Sequence, residues 1–140
     1  MSDVLFTSAA TAKNGRDGHV KSKDGQLDFN LVNPAGNKSG EEGANPEQFF
    51  AAGYAACFDG ALNNVAGKQN KEVESETTAE VSFMKDPEDG GFKLGVTLTI
   101  EMKGVSQDEA DKLAKDAHDF CPYSKATRGN IEVKLNPKAV

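Results

Sequence analysis

The chain has 140 residues and a formal net charge of −6. That length suits one domain over residues 1–140 with its own core. The acidic balance, with Lys far outnumbering Arg, argues against a nucleic-acid surface, which needs a basic face, and reads as a soluble protein.

Residues 4–13 read as a strand. Asn14-Gly15 is a hairpin signal because both residues accept positive φ. Arg16 follows on the far side of that turn, and residues 19–21 return as a second strand. Lys23-Asp24-Gly25 turns the chain again. Leu27, Phe29 and Leu31 then alternate with Asp28 and Asn30, which predicts a third strand with one wet face. Residues 33–44 form a Gly-rich polar loop. Such a loop is either functional or a plain connector.

Residues 43–67 predict one long helix. Asn45 suits the N-cap, Pro46 the first helical position, and Gln48 completes a capping-box pattern. Gly67 is placed as the C-cap. From Phe49 to Phe58 the only polar groups are the Tyr54 hydroxyl and the Cys57 thiol. A helix apolar all round must be buried on most sides. Glu47 and Asp59 bracket a run of about 11 residues, short of the ~20 that span a bilayer, so no membrane span is expected. The small residues Ala51, Ala52, Gly53, Ala55, Ala56, Gly60 and Ala61 let another backbone come close.

After this helix the hydrophobic period changes to two. Val73, Ala79, Val81 and Phe83 share one face, opposite Glu72, Glu74, Glu76, Thr78 and Glu80. Residues 85–91 turn, and Phe92, Leu94, Val96, Leu98, Ile100 and Met102 alternate along a partner strand. This predicts an antiparallel hairpin with a dry face and a charge-paired wet one. Ser106 and Glu109 form a capping box that opens a second helix, with Ala110, Leu113, Ala114, Ala117 and Phe120 as its inner stripe. Cys121-Pro122 ends it. Ile131, Val133 and Leu135 give a last strand. The order βββαββαβ describes an α+β domain. One amphipathic helix and one sheet give thin cover to so apolar a central helix. An intertwined homodimer, with two such helices between two sheets, would supply the rest.

The N-terminus has no basic start followed by an apolar segment, and no lipidation motif. The expectation is a cytoplasmic, reducing compartment, where a cysteine pair is more often catalytic or redox-active than a structural staple. Cys57 itself has two readings: a small buried hydrophobe, or a nucleophile. The spacing of Cys57, Cys121, His19 and His118 matches no metal-ligand pattern. A Cys–His hydrolase would need a histidine in a recognisable setting, which neither has. Asp59 is expected to bond near a backbone end or meet a cation, with Arg128 a candidate partner.

GANPEQFFAAGYAACFDGAL around Cys57 and CPYSKATRGNIEV from Cys121 resemble the two signature stretches of the organic hydroperoxide resistance proteins, a branch of the OsmC-like family. The similarity extends to NGRDGHV, with Arg16, and to the strand hairpin. The resemblance implies an intertwined homodimer in which antiparallel sheets wrap two long central helices. It implies a thiol peroxidase of alkyl and lipid hydroperoxides that uses no metal, haem or flavin. Cys57 matches the peroxidatic cysteine, Cys121 the resolving one, and Arg16 with Glu47 the pair that organises the thiolate. The implied reductant is dihydrolipoamide or a lipoylated protein.

The chemistry follows from that assignment. Only the thiolate attacks, and a thiol of pKa ~8.5 is mostly protonated at neutral pH. Burial raises the value further, and a helix dipole helps little at mid-helix. Arg16 is therefore the expected cation, held by Glu47. Disulfide formation requires the Cα atoms within ~7 Å, so the end of the second helix must cross the middle of the first. Phe49, Phe50, Phe58 and Tyr123 could receive an alkyl chain. Glu47 and Cys57 lie about 15 Å apart along a straight helix, which places the expected site at a subunit interface. The competing readings are a broader, osmotically induced peroxidase, a dimeric ligand-binding module with incidental cysteines, and a redox sensor.

Overall fold

The computed structural model describes residues 2–36 and 40–140. Of the expected polar loop, Asn37, Lys38 and Ser39 lie outside the described residues. The elements run β1 (Ala10–Lys13), a 3-10 turn (Gly15–Asp17), β2 (His19–Ser22), β3 (Asp28–Asn30), α1 (Pro46–Lys68), β4 (Glu74–Lys85), β5 (Phe92–Lys103), α2 (Gln107–Phe120), α3 (Pro122–Thr127) and β6 (Val133–Ala139). The chain divides into two units, Met1–Gln48 and Phe49–Val140. Among the described residues, no helix is long and apolar enough to cross a membrane.

In the first unit, β1, β2 and β3 form an antiparallel meander. The strand expected over 4–13 is shorter: only Ala10–Lys13 pairs, opposite His19–Ser22. Val4, Leu5 and Phe6 instead lie outside the strand and uncovered, at 79%, 91% and 84% exposure. Asn14 and Gly15 both take positive φ, 62° and 64°. Gly18 closes the turn so tightly that a Cβ there would collide with the Lys13 carbonyl. Arg16 sits inside this turn. Leu31, at the end of β3, is buried and bridges to Ala44 just before α1.

The start of α1 follows its sequence. The Asn45 side chain accepts from the Gln48 N–H at 2.9 Å, and the Gln48 side chain accepts from the Asn45 N–H at 3.0 Å. Two otherwise orphaned donors are thus satisfied, a cap of about 1 kcal/mol. The end differs from expectation. Gly67 remains helical, and Asn70, at φ 55°, is the left-handed terminator. The Lys71 N–H reaches back to the Ala66 carbonyl at 2.9 Å and the Asn70 N–H to Gly67 at 3.1 Å, which is a Schellman closure with Asn in the glycine position.

In the second unit, β4 pairs antiparallel with β5 over its whole length. β6 lies parallel to β5, so this sheet is mixed rather than antiparallel as expected. The helices inserted between β5 and β6 form the crossover that a parallel pair requires. Pro137 is tolerated because β6 is an edge strand. Val96, Leu98, Ile100 and Met102 of β5 pack with Tyr54, Phe58, Ala61, Leu62 and Ala66 of α1 and with Ala110, Leu113, Ala114 and Ala117 of α2. Truncating a residue such as Leu98 in this core would cost about 2–5 kcal/mol.

As expected for a single chain, one side of α1 is left bare: Ala52, Ala56 and Gly60 form an exposed line on it. Three local expectations are corrected. Phe120 is not part of the α2 inner stripe. It is 45% exposed, with Lys68 Nζ 5.3 Å from its ring centre. The wet face of β4–β5 is only partly charge-paired: Glu74 faces Lys103, but Glu76 faces Glu101. The chain does not go directly from α2 to the last strand, because α3 intervenes. Pro122 breaks α2 and, needing no N–H partner, starts α3 at the next step.

Candidate active site

The first unit brings Arg16 and Glu47 together. Arg16 Nη2 lies 2.8 Å from Glu47 Oε1, and Nη1 donates to Oε2 at 3.1 Å, a two-pronged fork. Arg16 is held out from the β1–β2 turn, and Glu47 stands in the first turn of α1, where the helix dipole favours a carboxylate. The Arg16 fork draws the Glu47 carboxyl below its ordinary pKa against the opposing effect of burial, and the same contact raises that of the guanidinium. Both groups are therefore charged across the physiological range. Nearby on β2, His19 is bonded to Asn30 and Asp28, which favour its protonated form.

The second unit brings the two cysteines together. Cys57 sits mid-way along α1, and Cys121 occupies the corner between α2 and α3. The sulfurs are 3.7 Å apart and both are free thiols. Cys121 is fully buried and Cys57 partly so. Burial pushes the Cys57 thiol above its ordinary pKa. The Tyr123 backbone N–H, aimed at the sulfur, opposes the rise, and Cys121 adds to it. None of these influences is a cation. A disulfide bond needs ~2.05 Å, so at 3.7 Å the two sulfurs are in contact but unbonded.

Beside the thiols lies a polar chain that sequence reading did not assemble. The Tyr54 hydroxyl is 2.8 Å from Ser124 Oγ and 3.1 Å from Thr127 Oγ1, and Ser124 Oγ is 2.7 Å from His118 Nδ1. Tyr54 and Ser124 are fully buried, and Thr127 nearly so. One signal was available: a lone phenol in an apolar helix run must find a partner. His118 is thus engaged by Ser124 rather than placed as a base for a thiol. Burial and the Arg128 charge pull its pKa down. Arg128 donates to the His118 carbonyl at 2.7 Å, not to Asp59. Asp59 instead accepts from Thr77 at 2.9 Å, with Asn63 at 3.3 Å. Phe58 is core, while Phe50 packs edge-on to Tyr54. Tyr123 lies 41% exposed with its ring 5.8 Å from that of Tyr54. Among the described residues, no group of three or more His, Cys, Asp or Glu side chains could hold a metal ion.

The family model for OsmC-like proteins matches residues 37–136. Organic hydroperoxide resistance protein OhrB of Bacillus subtilis is 58% identical over 96% of this chain and 99% of its own. The chain belongs to the organic hydroperoxide resistance branch of the OsmC-like family. A second relative, organic hydroperoxide resistance protein OhrA of the same organism, is 51% identical over 96% of this chain and 97% of its own. The crystal structure of B. subtilis OhrB superposes with a TM-score of 0.94, covering 96% of this chain and all of the other. Both cysteines of this OsmC-like chain fall inside the stretch that the family model matches.

Proposed function

We propose that this chain is a cysteine-based peroxidase that reduces organic hydroperoxides, alkyl and lipid, and so protects a cell against them. The observation that carries the reading is the 3.7 Å contact between two free thiols, one buried and one partly open, in a family whose relatives are named for organic hydroperoxide resistance. In the proposed cycle the Cys57 thiolate attacks one peroxide oxygen. The sulfur takes the terminal OH and the O–O bond breaks. The departing alkoxide takes up from solvent the proton that the thiol had released and leaves as the alcohol, and Cys57 becomes a sulfenic acid. The Cys121 sulfur then attacks the Cys57 sulfur, an S–S bond forms and water departs. A dihydrolipoyl dithiol restores both thiols by exchange and is itself oxidised to its cyclic disulfide.

Arg16 supplies the positive charge that none of the described influences on Cys57 provides, and Glu47 fixes the guanidinium. The working unit is a homodimer in the cytoplasm, with the site at the subunit interface. Two features support the dimer: the bare line Ala52, Ala56 and Gly60 on α1, and the uncovered Val4, Leu5 and Phe6. Large apolar side chains left open in this way mark a surface that another chain covers.

Consumption of cumene hydroperoxide tests the reading, with dihydrolipoamide, thioredoxin or glutathione as the reductant. Turnover is expected with dihydrolipoamide, little with the other two, and none in Cys57→Ser. Full consumption by Cys57→Ser would favour a ligand-binding module instead. Equal efficiency with hydrogen peroxide would favour the broader, osmotically induced type.

A further inference from the structure

Two helical segments cross at the thiol pair, and they are tied at two points. Tyr54 and Cys57 are three residues apart on α1. Cys121 and Ser124 are three residues apart across the α2–α3 corner. Tyr54 meets Ser124 at 2.8 Å, and Cys57 meets Cys121 at 3.7 Å. The two contacts therefore run side by side in opposite chain directions, like two rungs. Ser124 also joins all three helices: it sits on α3, bonds Tyr54 of α1 and bonds His118 of α2. Thr127, one turn further along α3, makes a second bond to the same phenol.

We propose that this Tyr54–Ser124 rung is a clamp that holds Cys121 in register with Cys57, so that disulfide closure needs only a side-chain movement. α3 runs only from Pro122 to Thr127, too short to persist without tertiary support. Its hold on α1 is this buried hydroxyl cluster and the Tyr123 ring lying against Gly53 and Tyr54. Tyr54, Ser124, Thr127 and His118 touch no reacting atom, so they are positioning residues. A preorganised pair closes without first losing the freedom of its backbone. The clamp deepens the peroxidase reading given above, since it serves that cycle's second step.

The test is the thiol–disulfide equilibrium of the full-length protein in mixtures of reduced and oxidised dithiothreitol, where two electrons and two protons pass from the cysteine pair to the reagent. Tyr54→Phe is expected to lower the equilibrium constant for the Cys57–Cys121 disulfide about tenfold, which is a potential about 30 mV higher. Ser124→Ala removes the same bond from the other end, together with the His118 contact while keeping the Thr127 one, and should shift the constant in the same direction. The double variant should be no worse than either single one, because the pair acts as a unit. Should one variant fail to fold, the other reads the same quantity. Wild-type equilibrium constants in the folded variants, with equal loss of thermal stability in both oxidation states, would overturn the clamp and leave a merely structural bond. Because dithiothreitol is the only redox partner, the result stands apart from whether peroxide is the physiological oxidant.

Discussion

A buried thiol is a poor nucleophile until a charge is brought to it, and that need defines the residue scale of this molecule. Desolvation moves Cys57 away from the thiolate, and the single backbone N–H from Tyr123 only opposes it. In the proposed site Arg16 makes up the difference. An opposite charge close by shifts a thiol by about 1–3 pH units. Arg16→Ala should therefore lower peroxide consumption at pH 7 by about a hundredfold. The sign of the pH dependence follows. With the cation gone, Cys57 titrates above its ordinary value, so the thiolate fraction, and with it the rate, should climb about tenfold per pH unit from 7 to beyond 8.5. The unaltered protein should show a much flatter profile over that range. Initial rates across the pH series measure both, and parallel profiles would remove Arg16 from the role. Of these residue facts, the sequence made the Arg16–Glu47 and Cys57–Cys121 pairs legible through long family motifs. The hydroxyl chain stayed hidden because its members are up to 73 positions apart, and the lone Tyr54 phenol signals a need for a partner without naming Ser124, Thr127 or His118.

At the element scale, the site depends on how closely α3 lies on α1. Gly53 makes that approach possible: a Cβ there would stand 2.8 Å from the Tyr123 hydroxyl oxygen and 3.0 Å from its ring. Gly53→Ala should gain helix propensity, worth about 0.8–1.0 kcal/mol on α1. It should also push the Tyr123 ring aside and disturb the N–H that faces Cys57. We expect a folded protein with a normal helix content and at least a fivefold lower rate of Cys57 alkylation by iodoacetamide at pH 8. An unchanged alkylation rate would show that the Tyr123 ring does not set this contact. The same scale explains what could and could not be read in advance. Both helix starts were visible because a capping box is a local pattern, and both boxes form as expected. The end of α1 was misplaced because Asn70 took the role for which Gly67 was the better candidate on propensity. α3 was missed because one proline both ends a helix and begins the next. The parallel pairing of β6 was not legible at all, since alternation shows which face is apolar but not which way a strand runs.

At the scale of the whole molecule, the central helix is the feature that a single chain leaves unfinished. Its inner line, Tyr54, Phe58, Ala61, Leu62 and Ala66, is buried, while Ala52, Ala56 and Gly60 face outward with nothing bulky on them. A Cβ added at Gly60 would meet open space in the isolated chain. The proposed homodimer fills it with a second copy of α1. Sedimentation equilibrium should give twice the 14.9 kDa chain mass at micromolar concentration. A 14.9 kDa species there would remove the dimer and the interfacial site with it.

The central claim is that the two sulfurs pass oxidation from one to the other. The direct measurement is mass spectrometry after one equivalent of cumene hydroperoxide, with free thiols blocked on quenching. The account predicts a loss of two hydrogens and a Cys57–Cys121 crosslinked peptide in the unaltered protein, and a gain of one oxygen on Cys57 in Cys121→Ser. Intact thiols after the peroxide has been consumed, or oxygen gained on Cys121 while Cys57 stays reduced, would contradict it.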